Sequence, residues 1–90
     1  MPELKIEVDH ESGLHARPLA LFVKKAKEFE SEIQVTNLVS GVGPKNGKSP
    51  LNLLLLAVNQ GQEILIEADG PDAEDALAAL VELIESNFEK

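Results

Sequence analysis

Cysteine is absent from this 90-residue chain. That excludes disulfides, thiolate metal sites and cysteine nucleophiles at once. No apolar run reaches the roughly 18 residues needed to cross a bilayer, so nothing in the sequence reads as a membrane span. The opening residues, Met1-Pro2-Glu3-Leu4-Lys5, lack a basic region followed by an apolar stretch. No signal peptide is expected, and the expected location is the cytoplasm. Positive charge is scarce: 8 basic side chains stand against 16 acidic ones, for a formal net charge of −8. A polyanion such as DNA would be repelled on average. Histidine occurs only twice, with no clear carboxylate spacing, which makes a poor metal site. No metal site is expected. The length fits a single domain over residues 1–90 with one core.

The few basic residues are unevenly placed. Lys5, Arg17, Lys24, Lys25, Lys27, Lys45 and Lys48 precede Ser49, and only Lys90 follows it. The asymmetry suggests one less negative face where an acidic partner docks, with Lys24 and Lys27 as candidates. Lysines that merely solvate a helix are the plainer alternative for any one of them.

Apolar spacing gives the elements. Leu4, Ile6 and Val8 alternate with charged residues, the period of a half-buried strand. After a turn at Glu11-Ser12-Gly13 the period changes. Ala16, Leu19, Ala20, Val23, Ala26 and Phe29 recur as on one buried face of a helix. Pro18 falls in its first turn, where a missing N–H costs little. Ile33 and Val35 mark a second strand, Val39 to Pro44 a loop or irregular hairpin, and Lys45 to Lys48 a weakly signalled strand. Ser49-Pro50 reads as the N-cap and first position of a short helix reaching toward Val58. Ile64, Ile66 and Ala68 mark another strand. After Asp69-Gly70-Pro71-Asp72, residues Ala73, Ala76, Leu77, Leu80, Val81, Ile84 and Phe88 mark a long amphipathic helix. The order βαββαβα predicts an α+β fold, an open-faced β-sandwich: a small antiparallel sheet covered on one face by helices.

The chemistry concentrates at His15, at the junction of turn and helix. A helix N-terminus offers unpaired N–H groups and the positive end of the helix dipole. Gly13 permits an unusual backbone angle just before it. Arg17 supplies a fork of donors suited to phosphate oxygens. Imidazole is a good nucleophile near neutrality because much of it carries no proton. These parts suit a transient phosphoramidate. From spacing alone, a turn histidine beside a solvated arginine weighs more. His10, at a strand end without an arginine or helix start, is assigned no role.

Gly13-Leu14-His15-Ala16-Arg17-Pro18 resembles the active-site signature of HPr, the histidine-containing phosphocarrier family of the phosphoenolpyruvate-dependent sugar phosphotransferase system. The similarity runs along nearly the whole chain. Asn46-Gly47-Lys48-Ser49 resembles the segment that carries the family's regulatory serine, and Gln60-Gly61 and Asp69-Gly70 fall at its later turns. The resemblance implies that phosphorylated enzyme I donates a phosphoryl group to Nδ1 of His15, which passes it to enzyme IIA components for sugar uptake. It implies that Arg17 steadies the charged oxygens, that backbone N–H groups of Ala16 and Arg17 cradle them, and that Ser12 is a further candidate. The chain would then be an intermediate carrier rather than a free-standing enzyme, with no bound cofactor or metal implied, and a monomer that meets several partners in turn.

The same resemblance makes Ser49 a candidate regulatory site for a serine kinase. Pro50 departs from the bulky apolar residue usual after that serine, and a serine before proline is in any case a good N-cap. Leu51 and Leu54 fall where the family exposes apolar docking residues, and the extra length of this chain falls in Leu38 to Pro44. Two other readings stand beside the transport carrier. One is a regulatory paralogue that signals rather than transports. The other is a non-catalytic α+β interaction module, in which His15 has no chemistry.

Overall fold

The structure is a computed structural model that describes residues 2–88; Lys90, the one basic residue after Ser49, lies outside them. Its elements are β1 (Glu3–Val8), α1 (Ala16–Ala26), β2 (Glu32–Asn37), β3 (Lys45–Asn46), α2 (Pro50–Leu55), β4 (Gln62–Asp69) and α3 (Ala73–Glu85). The strands form one antiparallel sheet in the order β1-β4-β2-β3. This is the expected open-faced sandwich, and the pleat explains it. Leu4 pairs with Ile66 and Ile6 with Ile64, while Ile33 pairs with Ala68 and Val35 with Ile66. Residues directly opposite share a face, so these apolar rows line the side that the helices cover.

The other side is solvated and strongly acidic. There Glu3 faces Glu67, Glu7 faces Glu63 and Glu32 faces Asp69, like charges directly opposite one another. The carboxyl of Glu7 is held above its ordinary range, first by a hydrogen bond with the side chain of Asp9, then by the charge of Asp9, with Glu63 contributing least. The core beneath the helices includes Val8, Leu14, Phe22, Val35, Leu53, Leu56, Ile64, Ile66 and Leu80, all fully buried. Burying a side chain of this size stabilises by about 1.5–3 kcal/mol, so each is a large share of a small domain's marginal stability.

Five details differ from the sequence expectation. In α1 the buried residues are Pro18, Phe22, Val23 and Ala26, whereas Ala16 and Ala20 are exposed and Leu19 and Phe29 half-buried. Phe22 carries far more apolar area than an alanine, so the Pro18–Phe22–Ala26 row wins the core face. In α3, Leu83 is buried where Val81 is only half so. Phe88 lies past the helix end, in the left-handed region at φ 62°, with its N–H donating to Leu83 O at 2.8 Å and its ring fully buried. The short helix stops at Leu55 because Ala57 turns left-handed at φ 51°. Leu4 is exposed, since β1 is an edge strand with no neighbour on its outer side.

Two polar residues tie the loops to this frame. Asn37 is buried; its Nδ2 donates to Leu56 O at 3.0 Å and Gln62 Oε1 at 3.2 Å, and its Oδ1 accepts from Val39 N–H at 3.0 Å. Asp72, which precedes α3, accepts from Glu30 N–H and Ser31 N–H, each at 2.9 Å, and from the Ser31 hydroxyl. The Ser31 hydroxyl is the main cause that holds the Asp72 carboxyl below its ordinary value, followed by the Glu30 amide.

Candidate functional site

The site grows out of the loop that joins β1 to α1. A turn closes first: Gly13 N–H donates to His10 O at 2.8 Å. Gly13 then takes φ 60°, and a Cβ built on it would stand 2.3 Å from Val58 O and 2.8 Å from Asn59 Cα. Both the angle and the close approach require glycine. Leu14 follows, its N–H on Val58 O at 2.9 Å and its side chain fully buried. The loop is thereby pinned to the α2–β4 connection immediately before His15.

His15 is the N-cap of α1, with extended backbone (φ −128°, ψ 170°). Its carbonyl accepts Leu19 N–H at 3.4 Å, which closes the first turn. Its imidazole, unlike most capping side chains, makes no cap hydrogen bond and is half-buried. The ring is therefore not spent on the helix. Ala16, the first helical residue, sits at φ 49°. A non-glycine residue in that region costs on the order of 1–3 kcal/mol, and such strain collects at functional sites.

The first two helical amides, on Ala16 and Arg17, have no partner within the helix. Pro18 carries no N–H, so α1 starts with two orphan donors rather than a longer set. No acidic residue lies in this first turn to compete for them. Arg17 is exposed and, among the described residues, makes no ion pair. A nucleophilic ring, two amides, a helix dipole and a free guanidinium can receive a small dianionic group at the surface. An exposed location also lets that group leave again.

The remaining candidates take varied places. Ser12 is exposed, its N–H donating to His10 Nδ1 at 3.0 Å. Lys24 and Lys27 are exposed toward the far end of α1 and beyond it. Ser49 caps α2, its Oγ accepting Asn52 N–H at 3.3 Å, with Pro50 as the first helical residue. Leu51 is 67% exposed and Leu54 52% exposed, while Leu53 and Leu56 are buried. Leu55, not singled out from the sequence, is 55% exposed and joins them. The signal was present: once Leu53 and Leu56 take the core at helical spacing, the leucines between them point outward. Among the described residues no cluster of three His, Asp or Glu could hold a metal. Shallow clefts of about 270 Å³, between β2 and β3, and about 320 Å³, around Gly70 to Asp75, do not include His15.

The chain is similar to known proteins along most of its length. The family model described as the phosphorylation site of the HPr component of the phosphotransferase system matches residues 2–86. Phosphocarrier protein HPr of Haemophilus influenzae is 47% identical over 79 residues, covering 88% of this chain and 89% of that protein. The crystal structure of HPr-C-His from Thermoanaerobacter tengcongensis superimposes with a TM-score of 0.91 at 44% identity, over 100% of this chain and 98% of that one. A structure from the same organism described as an HPr dimer gives 0.74 at 44% identity, over 100% of both chains. The chain also matches the multiphosphoryl transfer protein of Salmonella typhimurium, at 44% identity over 77 residues and 86% of this chain, but spans only 20% of that protein's length.

Proposed function

This chain belongs to the HPr family of phosphocarriers of the phosphotransferase system, and on that premise we propose that it accepts a phosphoryl group on His15 and hands it on, as a carrier rather than a free-standing enzyme. The donor would be phosphorylated enzyme I and the acceptors enzyme IIA components of sugar uptake. In the forward step a lone pair of the His15 imidazole attacks phosphorus. The new N–P bond forms as the bond from phosphorus to the donor breaks, so no water and no redox partner enters. The transferring group needs alignment and charge neutralisation above all. The amides of Ala16 and Arg17 and the Arg17 guanidinium supply both from this side, with Ser12 next to the site in the loop.

One observation carries the reading: the helix-capping residue is a histidine whose ring caps nothing, in front of two orphan amides. An α+β interaction module has no use for that arrangement. The docking surface on this reading combines Leu51, Leu54 and Leu55 of α2 with Lys24 and Lys27 around the end of α1. We place the whole domain in the cytoplasm, acting as a monomer; none of the described helices is long and apolar enough to cross a membrane. A serine kinase acting at Ser49 would have to displace the cap that this hydroxyl provides. Phosphate incorporation with an ATP-dependent kinase, lost in Ser49→Ala, is the test of that branch.

Label chase tests the carrier role. Phosphoenolpyruvate with labelled phosphorus, enzyme I, this protein and an enzyme IIA should carry label onto the IIA only when this protein is present. Label that reaches this protein and stays there would instead favour the signalling paralogue. Gel filtration over a range of concentrations, with one species at the monomer mass, tests the oligomeric state.

A further inference from the structure

Taking His15 as the acceptor, we infer that His10, the second histidine, is a positioning residue for the phosphoryl-acceptor loop: its ring nitrogen holds the turn that delivers His15 to the start of α1. His10 uses three groups at once. Its Nδ1 accepts Ser12 N–H at 3.0 Å. Its backbone carbonyl accepts Gly13 N–H at 2.8 Å. Its ring packs edge-on against Phe88, with centroids 5.9 Å apart and planes at 84°.

A side-chain acceptor that binds the amide two residues on is the arrangement of an Asx-turn, where asparagine or aspartate normally supplies the oxygen. Here an imidazole nitrogen takes that place. Nδ1 accepts a hydrogen bond only when the ring proton is on Nε2, so the contact fixes the tautomer. The longer ring also reaches Phe88, which asparagine could not. Phe88 is a firm wall: it is fully buried and its N–H is tied to Leu83 O at 2.8 Å. The turn is thus held between the end of the α3 segment on one side and the Val58–Asn59 backbone under Gly13 on the other. Leu14, anchored to Val58 O, transmits that position to the next residue, which is His15. His10 touches no reacting atom, so its effect is on where the acceptor loop stands.

Two variants separate the nitrogen from the ring. His10→Asn keeps an acceptor for Ser12 N–H and loses the aromatic contact. His10→Phe keeps an aromatic ring on Phe88 and loses the acceptor. Thermal unfolding of each is recorded beside the initial rate of phosphorylation by phosphoenolpyruvate and enzyme I. The expected result is that His10→Asn stays within about twofold of wild type while His10→Phe loses about fivefold in kcat/KM, the value of one hydrogen bond. In the unphosphorylated wild type, nitrogen-15 NMR should show His10 with its proton on Nε2, and Ser12 N–H should exchange faster in His10→Phe than in His10→Asn. Equal rates in the two variants, or a proton on Nδ1, would overturn the proposal. If the wild type takes up no phosphoryl group, the carrier reading fails on its own, and the tautomer and the Ser12 amide still decide the role of His10.

Discussion

Ala16 and Gly13 bracket His15 with two left-handed residues of different character. At Gly13 the angle is free and the space is not: Val58 O leaves no room for a side chain. At Ala16 the angle itself is strained. Gly13→Ala would add both costs, roughly 2 kcal/mol or more. Melting should fall by about 10 °C, since 1 kcal/mol shifts a domain of this size by about 4–8 °C. Phosphorylation of whatever stays folded should fall as well, because the loop must lift from Val58. Calorimetry and a rate assay on the same sample check this. Arg17 is exposed and has little structural work, so Arg17→Lys should leave melting within about 1 °C. It should slow transfer about tenfold, because ammonium keeps the charge and loses the two-pronged donor set. A steady-state assay against enzyme I reads that directly. The local geometry of this candidate site was legible in sequence, since a turn glycine and a proline at a helix start are local signals, but spacing alone does not favour chemistry at His15; that expectation rests on the resemblance carried by residues 13–18. The role of His10 was not legible, because it depends on Phe88 from the other end of the chain.

The elements divide in the same way. Strands were readable wherever apolar and charged residues alternate, as in Ile64, Ile66 and Ala68, because one face of each is buried and the other wet. The start of α2 was readable from Ser49 and Pro50, whose capping and φ preferences are local. The exact face of α1 was not: three- and four-residue spacing fits several stripes when alanines are among them, and the choice fell to Phe22, whose burial depends on the rest of the core. Leu55 gives no local signal, because a run of leucines has no period of its own. The exposed trio on α2 carries its own prediction. Leu51→Ser combined with Leu54→Ser should change stability by no more than about 0.5 kcal/mol each, as usual for surface sites. It should raise the KM for phosphorylation about tenfold, with kcat nearly unchanged, if these side chains are buried against the donor. Unchanged KM would remove α2 from the docking surface.

Across the whole molecule, two carboxyl groups pull the pH dependence of stability in opposite directions. Asp72 links the α1–β2 turn to the start of α3, and its folded value is lowered, chiefly by the Ser31 hydroxyl. Its contribution is therefore present above the unfolded carboxylate range and is lost as pH falls through the folded value. Glu7, raised by Asp9, does the reverse: its contribution is present at low pH and is lost as pH rises through the raised value. The stability difference between wild type and Asp72→Asn should hold steady from pH 7 to about 4 and shrink below that. Urea unfolding across that range checks it, and a difference that grows on acidification would contradict the assignment.

The central claim is that this chain bears a phosphoryl group on His15. Its most direct test is intact-mass analysis after incubation with phosphoenolpyruvate, magnesium and cognate enzyme I, with His15→Ala run in parallel. One acid-labile phosphoryl group is expected on the wild type and none on His15→Ala. A folded wild type that gains nothing from an enzyme I shown to be active, or a His15→Ala protein that gains the same label, would contradict it.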